Sequence, residues 1–453
     1  MSSNKNYLAD VPNYILPLVN MDHPNQSIFL IENNKFKIKT VKEEVIVLGN
    51  IEFKWFPLAG VYFEGKTEYL TDLGRETDNL DILTENDELL GKGFVTREGM
   101  ESNEFYIKGV FALDCILGDP TIPVNEVRFV IPNMIGFHGS GIKDDTMGYS
   151  GRISLKLDDK EIILDKLPDF SERIEELKKV GGYHITYSGK ITFKHSITLK
   201  DLEQEKEILK HFLQILSGKH ISGLFFMGIF KDENVWRHFR SDSIEPYHHR
   251  GSSCFPTFLK KEDIDSLSTL YGNIEKFWKE EDQKTMIKLA AGWYLEANTK
   301  PYYQFDTSVI ISQSALEMFY NWLLVEKEKI IRGKTNLSAA NKIRLLIARI
   351  GLKNEVPEKF VELQKFLSDN KSNNEEDAVD AIVLYRNAIV HGEFEKRIKL
   401  QNFTPIFKRE AMQLSIWYLE LCILYVLGYE GKYRNRTKLY GSEVLPWNTE
   451  KNI

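Results

Sequence analysis

Cysteine is scarce in this sequence. Its three examples, Cys115, Cys254 and Cys422, are odd in number and far apart, which excludes a disulfide framework and leaves no C-x-x-C pair to hold zinc or run redox chemistry. Such usage fits a reducing, cytoplasmic compartment. Long apolar runs are missing too. The stretch from Met1 to Tyr14 has no basic start followed by an apolar core, so neither a signal peptide nor a membrane anchor is expected there. The most apolar segment, Ala411 to Leu427, is interrupted by Gln413 and Glu420 and falls short of a membrane span, so a buried helix is expected instead. No G-x-x-x-x-G-K-[ST] loop, G-x-S-x-G elbow or carboxylate cluster of nuclease type occurs, which argues against NTP hydrolysis, serine hydrolysis and two-metal nuclease chemistry. Neighbouring His248 and His249 lack the H-x-x-x-H spacing or cysteine partners of a zinc site, so no metal and no cofactor is expected. Repeats and low-complexity tracts are also lacking.

What is present is an ordinary globular composition, 42% hydrophobic and 28% charged over 453 residues. That length exceeds one hydrophobic core, so two domains are expected. The net charge of −7 divides into about −10 before residue 281 and about +3 after it. Either the C-terminal part meets a polyanion or the two domains simply carry different surfaces.

To about residue 200 the hydrophobic pattern has period two. Ile51 to Phe56, Phe105 to Phe111 and Glu126 to Ile131 read as strands. Ile153 to Leu157 and Glu161 to Leu164, separated by Asp158-Asp159-Lys160, read as a hairpin. A β-sandwich-like or barrel-like module follows, with one helix at about 201–216 and an apolar run from Ile221 to Phe230. From about 262 the period becomes helical, as Ile264, Leu267, Leu270, Ile274 and Phe277 recur at spacings of three and four. Helices are expected near 284–298, 306–330, 338–350, 357–368, 376–391 and 405–427. Gly351 and Gly428 suit left-handed caps, Pro357 and Pro405 suit first turns, and Thr404 suits an N-cap. The fold class is therefore α+β multidomain: a strand-rich domain over 1–260, then an all-α domain over 261–453.

One segment carries chemistry. With Ile382 at zero on a helical wheel, Ala378, Tyr385 and Ile389 fall within about 60° and mark a buried stripe. Arg386 falls at about 40°, where a guanidinium is costly unless a carboxylate pairs with it or a cleft opens beside it. Asn387 and His391 are four apart, so Arg386, Asn387 and His391 share a sector roughly 140° wide. Gly392 next in line places His391 in the last turn, where exposed carbonyls favour imidazolium. Spacing alone leaves open that Arg386 joins an ordinary salt bridge and His391 merely ends a helix.

The run Tyr385-Arg386-Asn387-Ala388-Ile389-Val390-His391-Gly392 resembles the R-x(4-6)-H signature of HEPN domains. Ser314-Ala315-Leu316-Glu317-Met318-Phe319 and Gly292-Trp293-Tyr294-Leu295-Glu296-Ala297 are similar to the two helices preceding that signature. With a strand-rich module in front, the layout resembles the ApeA-like HEPN proteins of bacterial antiphage defence. The resemblance implies a HEPN helical bundle that dimerises, so that two motifs face each other in one metal-independent endoribonuclease site acting on structured RNA such as tRNA. It implies Arg386 for transition-state charge, His391 for proton transfer and Asn387 for orientation, with products ending in 2′,3′-cyclic phosphate. Glu317, a carboxylate on a mostly apolar helix, is expected to support the site by pairing with Arg386.

Two further stretches bear on RNA. Lys432, Arg434, Arg436 and Lys438 after the last helix are candidate RNA contacts, or else a solvated tail. Trp236 to Arg240 and Tyr247 to Arg250 offer aromatic and basic groups that either stack on bases and hold phosphates or form a solvated loop or domain contact. The alternative to a nuclease is a non-catalytic dimerising or nucleotide-binding domain behind a β module that senses a phage-derived or host ligand. A third option is a carbohydrate-binding β module using Trp55, Phe56 and Tyr62, unless these build the core.

Overall fold

The computed structural model describes residues 10–448 apart from 72, 74–79, 102, 243, 301–303, 333–335, 371–376, 392 and 439–440. The described residues form an α+β protein, with strands first and helices in the C-terminal part. The chain divides into two compact units, residues 1–210 with 221–248, and residues 211–220 with 249–453. The division thus falls after His248, whereas the change of hydrophobic period placed it after residue 260.

The strand-rich unit is not a sandwich of two open sheets. Strands β1 (Ile28–Lys39), β2 (Glu44–Lys54), β3 (Gly60–Thr67), β4 (Leu80–Thr84), β5 (Leu89–Glu101) and β6 (Glu104–Phe111) close into an antiparallel barrel in the order β1-β2-β3-β6-β5-β4. Alternation explains its interior: Phe36 and Ile38 of β1 face in with Val45 and Val47 of β2, all buried. Each such side chain contributes about 1.5–3 kcal/mol by leaving water. Phe63 fills the middle by lying over Gly109, where an added Cβ would come within 2.1 Å of the ring.

Strands β7 (Asp114–Gly118), β8 (Val124–Pro132), β9 (Ser140–Lys143), β10 (Gly148–Lys156), β11 (Lys160–Lys166), β12 (Ile185–Ile197), β13 (Leu224–Phe230) and β14 (Glu233–Arg240) form an eight-stranded sheet in the order β7-β14-β13-β8-β12-β11-β10-β9. The hairpin read around Asp158 is β10 and β11, with Ile153 opposite Leu164 and Leu155 opposite Ile162. Helix α1 (Phe170–Val180) went unread, because its charges obscure a short apolar stripe. Helix α2 (Leu199–Ser217) is the one expected near 201–216. Trp55 is buried in the barrel core, while Phe56 is exposed.

The helical unit contains α3 (Lys261–Trp278), α4 (Glu281–Thr299), α5 (Phe305–Phe319), a π-helical segment (Tyr320–Lys327), α6 (Ala339–Arg349), α7 (Val361–Asn370), α8 (Ala378–Val390), α9 (Phe394–Asn402) and α10 (Pro405–Val426). Helix α10 is the apolar segment singled out above, and it is buried around most of its circumference. It packs against α4, α5, α7 and α8. Among the described residues no helix is long and apolar enough to cross a membrane. Thr404 caps α10 by accepting the Phe407 N–H at 3.0 Å, with Pro405 in the first turn. Gly351 and Gly428 take positive φ of 76° and 62°, as the left-handed caps require. The single expected helix at 306–330 is two elements, α5 followed by the π-helical segment, in which the Glu328 N–H reaches back five residues to the Leu323 carbonyl at 2.9 Å.

Candidate functional site

Helix α8 carries the R-N-A-I-V-H run, and its start is clamped. Asp377 is the N-cap, accepting the Asp380 N–H at 2.8 Å. From α6, Arg344 donates to both Asp377 oxygens, at 2.5 and 3.0 Å, and to Asp380. Burial works against the Asp377 charge, but Arg344 more than offsets it and holds the carboxyl below the usual range. Ala378, Ile382 and Tyr385 are buried as the wheel predicted, while Ile389 is half-buried. The Gln313 amide of α5 donates to the Ile382 carbonyl at 2.7 Å. The Tyr385 hydroxyl donates to Asp306, and its ring packs edge-on against Phe403 and Phe407.

Arg386 is half-buried on the wall of a cleft of about 530 Å³. Asp282 and Met286 of α4, Glu317 and Met318 of α5, and Trp322 and Glu326 of the π-helical segment also line it. Arg386 Nη1 donates to the Asn387 side-chain oxygen at 3.2 Å, and its buried Nε has no partner among the described residues. The expected Arg386–Glu317 ion pair is absent among the described residues. Glu317 lies instead 3.7 Å from Lys342, because this face of α5 meets a cation of α6 before it meets α8. Both predicted residues nevertheless line one cleft.

His391 is the C-cap of α8 (φ −87°, ψ −1°), and its backbone N–H donates to the Asn387 carbonyl at 3.1 Å. Its side chain is exposed and is not part of the cleft. Gly392 lies outside the described residues. One chain therefore brings Arg386 and Asn387 together and leaves His391 at the helix end.

The four tail cations separate. Lys432 and Arg434 are exposed. Lys438 pairs with Glu443. Arg436 is not a free RNA contact, because it is the mostly buried partner of buried Glu420: Nε donates to Glu420 Oε2 at 2.8 Å and Nη2 to Asn298 at 2.9 Å, while Tyr294 donates to Glu420 at 3.0 Å. A carboxylate in the middle of buried α10 requires such a cation. Trp236, His238 and Phe239 are likewise buried, so β14 offers no base-stacking surface. His238 bridges Lys206, at 3.1 Å, and Asp114, at 2.8 Å. Burial pushes the thiols of Cys115, Cys254 and Cys422 upward, which leaves them poor nucleophiles.

Sequence reasoning missed α9, the π-helical segment, the Arg344 clamp and the cleft. Asp377-Ala378-Val379-Asp380, with acids at the cap and first turn, was a readable signal for a clamped helix start.

The chain is similar to the SPbeta prophage-derived uncharacterized protein YopA of Bacillus subtilis (strain 168), with 27% identity over 444 residues that cover 93% of this chain and 95% of that protein. No solved structure matches it. Residues 119–250 match the YopA central domain and residues 280–446 the YopA C-terminal domain, so the chain resembles YopA in both of its compact units.

Proposed function

We propose that the helical unit is a metal-independent endoribonuclease of HEPN type. The observation that carries this reading is the state of Arg386: aimed into a cleft, steadied by Asn387, with a buried donor left unpaired. A guanidinium so arranged is prepared for an anionic group that arrives with a ligand. In the reaction, the ribose 2′-hydroxyl attacks its own phosphorus. Neutral His391 takes the hydroxyl proton, an imidazolium returns a proton to the departing 5′-oxygen, and Arg386 stabilises the charged transition state. Products are a 2′,3′-cyclic phosphate and a 5′-hydroxyl. Arg386 and His391 point about 140° apart on one helix, so a homodimer that sets one copy's His391 against its partner's motif completes the site.

The proposed substrate is a structured RNA such as tRNA, and the proposed role is antiphage defence in the cytoplasm, with the strand-rich unit sensing a phage-derived or host trigger. A prophage-derived relative supports that setting, since a resident prophage gains from excluding competitors. The test is incubation of the purified chain with total bacterial RNA and tRNA in EDTA, alongside His391→Ala. Expected are discrete, EDTA-resistant cuts with cyclic-phosphate ends that fall about 10²–10⁴-fold in the variant. Cuts that need a divalent ion, or that persist in His391→Ala, would overturn the reading. One observation favours a non-catalytic role: three carboxylates share the cleft with Arg386 and compete with a phosphate for its guanidinium. Protection from phage that survives both Arg386→Ala and His391→Ala would establish that alternative.

A further inference from the structure

The same three carboxylates say what the cleft admits. Asp282, Glu317 and Glu326 beside a single Arg386 repel a run of phosphates, since like charges at such range are unfavourable even at a partly wetted site. A neutral base meets no such barrier. The cleft's volume of about 530 Å³ is in the range that encloses one nucleotide-sized group. Lys342 at Glu317 and Lys327 over Trp322 lie beside this lining and offset part of that charge, so a base is favoured inside the cleft and its phosphate at the Arg386 side.

We propose, on the footing of the nuclease reading, that this cleft takes the base on the 5′ side of that phosphate and that Glu317 selects guanine. Guanine is the RNA base that offers two adjacent N–H donors, N1–H and the N2 amine, along one edge, and a carboxylate accepts both. Adenine and cytosine place a ring acceptor beside a single amine. Uracil places one N–H between two carbonyls. Each of these sets a lone pair against the carboxylate and is disfavoured.

Glu317 is the best placed of the three acids. Asp282 already accepts the Trp322 indole N–H at 3.4 Å, and Glu326 is exposed. Lys342 steadies Glu317 from 3.7 Å away and is not itself part of the cleft. Asn321, Trp322 and Glu326 of the π-helical segment Tyr320–Lys327 form part of the cleft lining. Such i→i+5 turns are rare and frequent at functional sites, which is a second feature of this groove that fits a ligand-binding role.

The experiment uses the full chain and fluorescein-labelled oligoadenylates carrying one central 2′-deoxyguanosine, 2′-deoxyinosine or 2′-deoxyadenosine. The missing 2′-hydroxyl blocks cleavage at that position, and binding is read by anisotropy. Guanine is expected to bind about tenfold or more tighter than adenine, with inosine, which lacks the N2 amine, in between. Glu317→Gln, nearly isosteric, is expected to bring guanine and adenine within about threefold of each other. Equal affinities in the wild type, or an undiminished preference in a Glu317→Gln protein that melts normally, would overturn the inference. All-ribose probes are assayed for cleavage in parallel. A guanine preference without cleavage supports the cleft and refutes the nuclease, whereas cleavage without base preference does the reverse.

Discussion

Two arginines, one in each unit, are partnered in opposite ways. Arg173 of the strand-rich unit is buried, and its guanidinium is used throughout: Nε donates to Asp169 at 2.7 Å, Nη1 to the Met21 and Ile185 carbonyls at 3.1 and 3.0 Å, and Nη2 to Asn20 at 3.0 Å. Among the described residues, Arg386 of the helical unit makes one side-chain hydrogen bond and leaves a buried nitrogen unpaired. The contrast extends beyond the two residues. Lys160 with Glu205 and Arg152 with Asp165 close their charges internally in the first unit. In the second, among the described residues, Ser308, Tyr320, Ser415 and Tyr418 have buried hydroxyls without partners, and Gln313 an unpartnered carbonyl oxygen. Unpaired buried donors cost about 1–3 kcal/mol each, and they persist where a ligand or a functional constraint offsets the cost. The strand-rich unit thus closes its buried cations internally, with Glu176 Oε2 as an exception that has no hydrogen bond among the described residues, whereas the helical unit leaves several buried polar atoms and one cleft-lining arginine nitrogen unpaired.

The helical unit has one place where it follows the opposite rule, and disturbing it gives the largest effect. Glu420 and Arg436 form a closed pair, with Asn298 and Tyr294 satisfying the rest. Burial alone would weaken the Arg436 charge, but Glu420 beside it keeps the guanidinium protonated more firmly than usual. Glu420→Ala strands a mostly buried cation and is expected to destabilise the protein by about 3–5 kcal/mol. Replacing both partners with apolar residues, Glu420→Leu with Arg436→Met, is expected to recover most of that loss in urea titrations. A single variant as stable as wild type would show that the pair is solvated and would erase the exception.

That pair also shows where the sequence was and was not legible. The basic run from Lys432 to Lys438 reads locally as solvated charge, yet the one acid inside the apolar stretch Ala411 to Leu427 already required a cation somewhere. Which cation answers it depends on the tail folding back over α10. The β10–β11 hairpin was readable because alternation and turn residues are local. Barrel closure was not, since it rests on β1 pairing with β4, Phe36 opposite Thr84, and no local pattern encodes that register. The α8 stripe was readable from period alone. The cleft was not, because its walls come from α4, α5, the π-helical segment and α8, and small helix rotations decide that Glu317 faces Lys342 rather than Arg386.

The strand-rich unit makes a pH-dependent prediction of intermediate size. His184 is buried, with its Nδ1 at 3.2 Å from Arg173 Nη1. Burial first, and the Arg173 charge second, push its pKa down to about 4. In the unfolded chain the value returns to ~6.5. Between these values the unfolded state binds more protons, so stability rises with pH across the window. The contribution is fully present above ~6.5 and is lost as pH falls toward 4, a change on the order of 3 kcal/mol. Urea midpoints of His184→Gln are expected to vary less with pH over this range than those of the wild type. Equal slopes would mean that His184 is not the group that answers to acid, and the strand-rich unit would lose its clearest cost of internal partnering.

The smallest effect is the sharpest test of the contrast, because its sign is at stake. Arg173→Met removes donors from acceptors that are themselves buried, so it is expected to destabilise by several kcal/mol, as deletion within a satisfied network does. Arg386→Met keeps the aliphatic stem against the apolar stripe and removes the unpaired Nε with its desolvation cost. Asn387 loses one bond but is half-buried, and water can replace it. The expected change in stability is therefore between zero and a gain of about 1 kcal/mol, while RNA cleavage is abolished. A residue whose removal steadies the fold and ends the activity is held in place by function. If Arg386→Met instead destabilised the protein as Arg173→Met does, Arg386 would be a structural arginine with an unnoticed partner, and the two units would be built on one plan.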